Sequence, residues 1–213
     1  MQPVVMFGGT FDPVHHGHLR LAVELRERLG ACQVHLIPNA LPPHRARPTV
    51  SGADRLALLG AALEGEDALL ADGRELERPG PSYSIDTLSE LASEYPDRPL
   101  CLVVGNDAFA GLDRWHRWRE IPSIAHIVVA SRPGESLPRG GPVADLYARA
   151  RLDQVAQLRE RRAGGILAFE IPPLDISSSG LRERLRSGRS VRFLVPDRVI
   201  AMIEERGLYG RAQ

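Results

Sequence analysis

Short apolar runs alternate along the chain with longer amphipathic segments, and this alternation predicts the order of the secondary structure. Each apolar run is bounded by glycine, proline or polar residues. The runs cover residues 4–7, 33–38, 68–71, 100–104, 125–130 and 166–171. Continuous apolar runs of this length, rich in β-branched residues, are typical of parallel strands that are buried on both faces.

The segments between these runs have helical periodicity. The first predicted helix begins at Gly17 and Gly30 ends it. Its apolar face consists of Leu21, Ala22, Leu25 and Leu29. A capping box at 51–54 opens a second helix whose Leu56, Leu59 and Leu63 are expected to point inward. Further helices are predicted before Tyr95, over 143–162, after Ser177, and as a final pair towards the end of the chain.

Strands alternating with helices predict an α/β protein, a doubly wound, Rossmann-like parallel sheet with helices on both faces. We expect a single domain over 1–213, in which 135–165 is a less regular insertion and 174–213 is a helical C-terminal part. Ligands of such sheets bind at the C-terminal ends of the strands.

Composition narrows the function classes. Lys plus Arg and Asp plus Glu both total 27, so the chain has no net positive charge to attract a nucleic-acid polymer or an anionic membrane. No apolar run approaches the roughly 20 residues that span a bilayer. The first strand begins close to Met1, which argues against a signal peptide. Cys32 and Cys101 are expected to be buried free thiols in the cytoplasm, and no Cys/His cluster has zinc spacing, so no protein metal site is predicted.

The strongest candidate site follows the first strand. Gly8 and Gly9 let the backbone turn sharply and approach a ligand. The free N–H groups and the dipole at the following helix start favour a phosphate group. His15 and His18 lie three residues apart across Gly17, so both can face the anion that this loop holds.

Other polar positions admit more than one interpretation. Asp107, two residues beyond Gly105, suits a ribose hydroxyl, a metal ion or a helix cap. Trp115 and Trp118 have the spacing of a helical core face, or they provide a platform for a stacked ring. The serines at 177–179 and Arg182 form either an ordinary helix cap or a clamp for a triphosphate.

The segment Gly8–Pro13 with the pattern His15-x-Gly17-His18 resembles the first motif of the HxGH nucleotidyltransferase superfamily. Within it the resemblance is to the bacterial nicotinate mononucleotide adenylyltransferases, and it includes the segment Ile176–Arg182. This resemblance implies transfer of AMP from ATP to nicotinate mononucleotide in NAD biosynthesis. Pyrophosphate would leave, and Mg²⁺ would be bound through the ATP phosphates.

The resemblance also assigns site residues. His15 and His18 would be catalytic. ATP would be bound by Gly8, Gly9, Thr10, Phe11, Gly105, Asp107, Arg132, Ser177, Ser178 and Arg182. Nicotinate mononucleotide would be bound by Asn39, His44, Arg45, Ser84, Ile85, Trp115 and His116. Two positions depart from the family pattern, since Arg45 replaces a lysine and His116 replaces a second aromatic residue.

Two alternatives remain open at this stage. Another enzyme of the superfamily would transfer AMP or CMP to a different phosphate, such as phosphopantetheine, and would not need the Ser84 and Trp115 elements. A non-catalytic nucleotide-binding module is disfavoured because both histidines and the serine–arginine segment are intact. The residues leave the oligomeric state open.

Overall fold

The computed structural model describes residues 1–40, 47–172 and 174–210. The strands are β1 Val4–Gly9, β2 Gln33–Pro38, β3 Leu69–Ala71, β4 Leu100–Gly105, β5 His126–Ser131, β6 Arg151–Leu152 and β7 Ile166–Glu170. The α-helices are α1 His16–Leu29, α2 Gly52–Leu63, α3 Arg74–Glu77, α4 Ser84–Glu94, α5 Asn106–Ala110, α6 Ile121–Ile124, α7 Pro142–Ala150, α8 Ser178–Arg186 and α9 Asp197–Glu205. Short 3-10 turns cover Leu112–Arg114, Trp118–Glu120 and Val155–Arg159.

The strands form a seven-stranded sheet in the order β3-β2-β1-β4-β5-β7-β6. Strand β1 pairs in parallel with β4, with Val4 opposite Leu100, and β4 pairs in parallel with β5. Val4 and Val5 have no exposed surface, as expected of a strand buried on both faces. The order runs outward in both directions from the β1/β4 pair, so the predicted doubly wound, Rossmann-like α/β fold is confirmed.

Backbone contacts group the chain into two compact units that are interleaved in sequence. The first comprises Met1–Gly8, Glu24–His35 and Tyr83–Pro173, and the second comprises Gly9–Val23, Leu36–Ser82 and Leu174–Gln213. The prediction of a single domain over 1–213 stays a prediction. Across the described ranges, none of the helices combines the length and apolar character required to cross a membrane.

Helix α1 forms where its periodicity predicts it, although Leu21 of the predicted apolar face is only half-buried. Ala22, Leu25 and Leu29 are fully buried, and the chain leaves the helix at Gly30 with a φ of 59°, a conformation that favours glycine. The Arg28 Nε lies 2.7 Å from the Glu24 carboxylate one turn earlier. The helix is therefore held by an apolar face on one side and an ion pair on the other.

Helix α2 has a polar residue on its inner face. The Ser51 hydroxyl accepts a hydrogen bond from the backbone N–H of Asp54 at 3.1 Å, which confirms the predicted N-cap. Leu59 and Leu63 are buried as predicted, but Leu56 is only half-buried. The core positions beside them belong to Leu58 and Arg55, the latter only 1% exposed.

The prediction of one helix over 143–162 is wrong. Helix α7 ends at Ala150, because residues 151–152 turn extended and pair with β7. Leu152 and Leu158 are both buried, which a single exposed helix would not achieve. The cysteine prediction holds for Cys101, whose complete burial raises the pKa of its thiol to about 12, whereas Cys32 is only half-buried.

Candidate functional site

The loop after β1 turns tightly around the Phe11 ring. Phe11 has a φ of 47° and is 1% exposed, and the Asp12–Pro13 peptide bond is cis. A Cβ atom at Gly9 would lie 2.8 Å from the Phe11 ring, closer than real Cβ contacts allow. Glycine at position 9 is therefore required by the close approach of the backbone to this ring.

The two predicted catalytic histidines lie against each other. Their ring centroids are 3.7 Å apart with an interplanar angle of 25°, so the imidazoles are stacked. The Phe11 ring meets the edge of His18 at 5.0 Å. The His15 carbonyl accepts the N–H groups of His18 and Leu19, which places His15 at the start of α1. The predicted convergence of the pair at the helix N-terminus is confirmed.

Both imidazoles are neutral near pH 7. Burial, with a smaller contribution from the charge of His16, lowers the pKa of His15 to about 4. Burial, followed by the charge of His15, lowers the pKa of His18 well below its usual range. Stacked rings in a dry site resist double protonation. A polyphosphate placed beside them would raise both pKa values, so the pair is suited to meet negative charge.

The glycine between the histidines has a steric role. A Cβ atom added at Gly17 would lie 3.0 Å from both Cε1 and Nδ1 of His15. Any side chain there would press on the imidazole, so the His-x-Gly-His pattern keeps the His15 ring in its stacked position.

Helix α8 begins beside the same loop. The Ser177 hydroxyl accepts the Gly180 N–H at 3.2 Å, which confirms its role as an N-cap. The Ser178 hydroxyl donates to the Pro13 carbonyl at 3.0 Å, and Arg182 Nη1 donates to the Asp12 carbonyl at 2.6 Å. The structure thus brings the serine–arginine segment together with the loop that carries the histidines.

The sequence did not identify Asp12, whose carboxylate accepts hydrogen bonds from two distant parts of the chain. Its side chain is 2% exposed. It accepts the Tyr209 hydroxyl at 2.8 Å and the Thr49 backbone N–H at 2.7 Å. Nearby, the buried Arg55 donates to the Thr10 carbonyl at 2.9 Å. The available signal was an arginine at a core position of α2.

In the other unit, three predicted ATP contacts follow strand ends. Gly105 is the last residue of β4 and is exposed. Asp107 lies in the first turn of α5 and is also exposed. Arg132 directly follows β5, and its backbone N–H donates to the Glu135 carboxylate at 3.0 Å. These residues lie at the C-terminal ends of neighbouring parallel strands, where this fold binds ligands.

The predicted carboxylate site is a helix N-terminus. Ser84 and Ile85 are the first residues of α4 and Tyr83 is its N-cap, so their N–H groups have no partner within the helix. Trp115 is half-buried, and His116 stacks on Tyr83 at 4.2 Å. The helical-face interpretation of the tryptophans is wrong, because the 3-10 turns around them are separated by Arg117, which has a φ of 50°.

The remaining predicted contacts lie after β2. Asn39 donates its backbone N–H to the Gly9 carbonyl at 2.9 Å, and its side chain donates to the Glu75 carboxylate at 3.4 Å. His44 and Arg45 lie outside the described residues.

A glycine loop and a stacked histidine pair beside a hydroxyl-rich helix start, on a doubly wound parallel sheet, define a nucleotide-binding α/β protein of the nucleotidyltransferase class. The model of the cytidylyltransferase-like family matches residues 6–184, and the chain belongs to this family. It is 50% identical over 207 residues to the probable nicotinate-nucleotide adenylyltransferase of Marinobacter nauticus, covering 97% of this chain and 96% of that protein. It is 45% identical to the protein of the same name from Aeromonas hydrophila, with 97% of each chain covered.

A solved structure shares the fold. The nicotinic acid mononucleotide adenylyltransferase of Plasmodium falciparum, complexed with NaAD, superposes with a TM-score of 0.71 over 98% of each chain at 13% sequence identity. At this level of identity the likeness concerns the fold.

Proposed function

We propose that this protein transfers AMP from ATP to nicotinate mononucleotide, giving nicotinate adenine dinucleotide and pyrophosphate. The observation that carries the proposal is the stacked His15–His18 pair that follows the glycine loop. The chain is also 50% identical to a relative that is named a probable nicotinate-nucleotide adenylyltransferase. The step belongs to the biosynthesis of NAD.

The chemistry needs no general base. A phosphate oxygen of nicotinate mononucleotide, already anionic at neutral pH, attacks the α-phosphorus of ATP and forms the new P–O bond. The bond from the α-phosphorus to the bridging oxygen of pyrophosphate breaks, and pyrophosphate leaves with that electron pair. Catalysis then consists of positioning the reactants and stabilising the negative charge of the transition state.

The second unit supplies the groups that stabilise the negative charge of the transition state. His15 and His18 donate N–H groups to the α-phosphate. His15 is buried and His18 is half-buried, and their partial removal from water strengthens each hydrogen bond. Arg182 and the hydroxyl of Ser177 bind the β- and γ-phosphates, beside the backbone of the glycine loop. The Ser178 hydroxyl donates its hydrogen to the Pro13 carbonyl and holds the helix start against that loop. Mg²⁺ accompanies the phosphates; within the described ranges no three His, Cys, Asp or Glu side chains come close enough together to ligate a metal ion.

The other substrate contacts follow from strand and helix ends. The rest of the ATP molecule is bound at the ends of β4 and β5 by Gly105, Asp107 and Arg132. The N–H groups of Ser84 and Ile85 receive the nicotinate carboxylate, as helix N-termini receive anions. The pyridine ring stacks near Trp115, with His116 held by its contact with Tyr83.

The partners are thus two small nucleotides, with no nucleic acid or membrane involved. Equal numbers of acidic and basic residues support the absence of a polyanionic partner. A cytoplasmic location agrees with the free thiols of Cys32 and Cys101.

The test is pyrophosphate release from ATP and Mg²⁺ with a panel of acceptors: nicotinate mononucleotide, nicotinamide mononucleotide, phosphopantetheine, and no acceptor. We expect fast release only with the first. Faster release with phosphopantetheine would assign another reaction of the superfamily. ATP binding without release for any acceptor would indicate a binding module.

A further inference from the structure

The Asp12 carboxylate and the Arg182 guanidinium are neighbours without forming a close ion pair. Arg182 Nη1 lies 3.6 Å from Asp12 Oδ2 but donates to the Asp12 backbone carbonyl at 2.6 Å. Two other donors occupy the carboxylate, namely the Tyr209 hydroxyl on Oδ1 and the Thr49 N–H on Oδ2. A buried carboxylate with two hydrogen bonds is already well satisfied.

This arrangement leaves most of the guanidinium uncommitted. Within the described part of the chain, Nε and Nη2 of Arg182 donate to no protein acceptor, and the side chain is 23% exposed. An arginine fork with two free nitrogens can bind a phosphate bidentately. If a donor to Asp12 were lost, the carboxylate would attract the fork into a closer pair, since a buried charge needs compensation.

We propose that the Tyr209 hydroxyl is a positioning group for the ATP polyphosphate, because it satisfies Asp12 and so keeps the Arg182 fork available. The inference rests on the proposed function through the role of Arg182. Tyr209 touches no substrate in this scheme and acts through Asp12. Burial and the charge of Asp12 raise the pKa of Tyr209 well above its usual range, so its hydroxyl remains a donor at any working pH.

The experiment compares Tyr209→Phe with the matched control Tyr95→Phe. The Tyr95 hydroxyl donates to the Gln33 side-chain oxygen at 2.8 Å and lies 3.3 Å from His35 Nε2, and neither partner is a proposed substrate contact. Both variants lose one hydroxyl, and Tyr209→Phe should lower the melting temperature more than Tyr95→Phe, because its hydroxyl donates to a charged group. We expect Tyr209→Phe to weaken binding of ATP–Mg²⁺ and of inorganic pyrophosphate by about tenfold in calorimetric titrations, while Tyr95→Phe binds both as the wild type does.

A second variant and a double-mutant cycle test the inference further. Thr49→Pro removes the N–H donor to Asp12 Oδ2 without touching the tyrosine, and it should weaken pyrophosphate binding in the same direction. In an Arg182→Lys background, Tyr209→Phe should cost much less than in the wild type, because the group through which it acts is gone.

The inference is overturned if Tyr209→Phe binds pyrophosphate like the wild type, if Tyr95→Phe weakens it equally, or if the losses from Tyr209→Phe and Arg182→Lys simply add. These titrations need no acceptor. A wild type that binds ATP but does not adenylylate nicotinate mononucleotide would contradict the proposed function and leave this result interpretable.

Discussion

The stacked histidine pair is expected to act mainly in the transition state, since buried neutral imidazoles meet charge that grows during the reaction. We predict that His18→Ala lowers kcat by roughly 10²–10³. Its Kd for ATP should rise far less, because the hydrogen bond strengthens as charge develops. Steady-state kinetics and ATP titration of the same variant measure the two effects. An unchanged kcat with a large loss of ATP affinity would contradict this role.

A substitution at Gly17 is expected to change kcat much more than the melting temperature. Alanine favours a helix over glycine by up to about 1 kcal/mol, which offsets part of the cost of the new contact, so Gly17→Ala should change the melting temperature little. Its Cβ would nevertheless press on His15 at 3.0 Å, and we expect kcat to fall about tenfold or more, since small displacements at a reacting centre are costly. The control is Gly60→Ala in α2, where an added Cβ meets nothing within 4 Å. Equal kinetics for the two variants would show that Gly17 does not fix the ring.

At the residue scale, the sequence identified the groups whose spacing is local. His15 and His18 fall on one turn, and so their proximity follows from helix geometry. The bonds of Asp12 could not be predicted in this way, since its partners Thr49 and Tyr209 are distant in sequence. Local pattern cannot show which distant donor reaches a buried carboxylate.

Among the elements, α4 is the one that we propose to distinguish a pyridine carboxylate from a carboxamide. The two rings are nearly the same shape, so only charge and hydrogen-bond direction separate them. Main-chain N–H groups at Ser84 and Ile85 can donate to both oxygens of a carboxylate. The N–H groups of a carboxamide would instead face these main-chain N–H groups, and two donors cannot form a hydrogen bond. We predict a preference for nicotinate over nicotinamide mononucleotide of at least roughly 10² in kcat/KM.

The tryptophan variant is the control for this preference. Trp115→Ala should lower kcat/KM for both mononucleotides, because ring stacking does not depend on the substituent. The ratio of the two kcat/KM values should stay the same. Comparable kcat/KM values for the two substrates in the wild type would rule out a carboxylate site at α4.

The element prediction succeeded where one interaction dominates. Strands β1, β2, β4 and β5 are buried over most of their length, so apolar continuity alone located them. Ser51 and Gly30 marked helix ends by their own chemistry. It failed between 143 and 162, where the pairing of Arg151 and Leu152 with β7 overrides helical periodicity. Edge pairing is a tertiary effect that a local window does not contain.

For the whole molecule, the buried histidines predict sensitivity to mild acid. In the folded protein His15 has a pKa of about 4, against the ordinary value of 6.5. Between these values the unfolded chain binds a proton that the folded state excludes, so stability present above pH 6.5 is lost as the pH falls towards 4. The loss from this residue is about 3 kcal/mol. The pKa of His18 and that of His126 are lowered as well, and they add in the same direction.

Chemical denaturation at several pH values measures this loss. His15→Gln removes one of the three groups, so its unfolding free energy should fall less steeply between pH 6.5 and 4 than that of the wild type. Parallel curves for the two proteins would show that His15 is not buried as a neutral ring.

The contact between Tyr209 and Asp12 has a consequence for how the protein is made. It joins positions 197 residues apart in the chain. During translation, the glycine loop and both histidines are therefore synthesised long before Tyr209, which supplies a hydrogen bond to that loop. A nascent chain can form its first helix early, but the buried carboxylate at its start stays one donor short until residue 209 has left the ribosome.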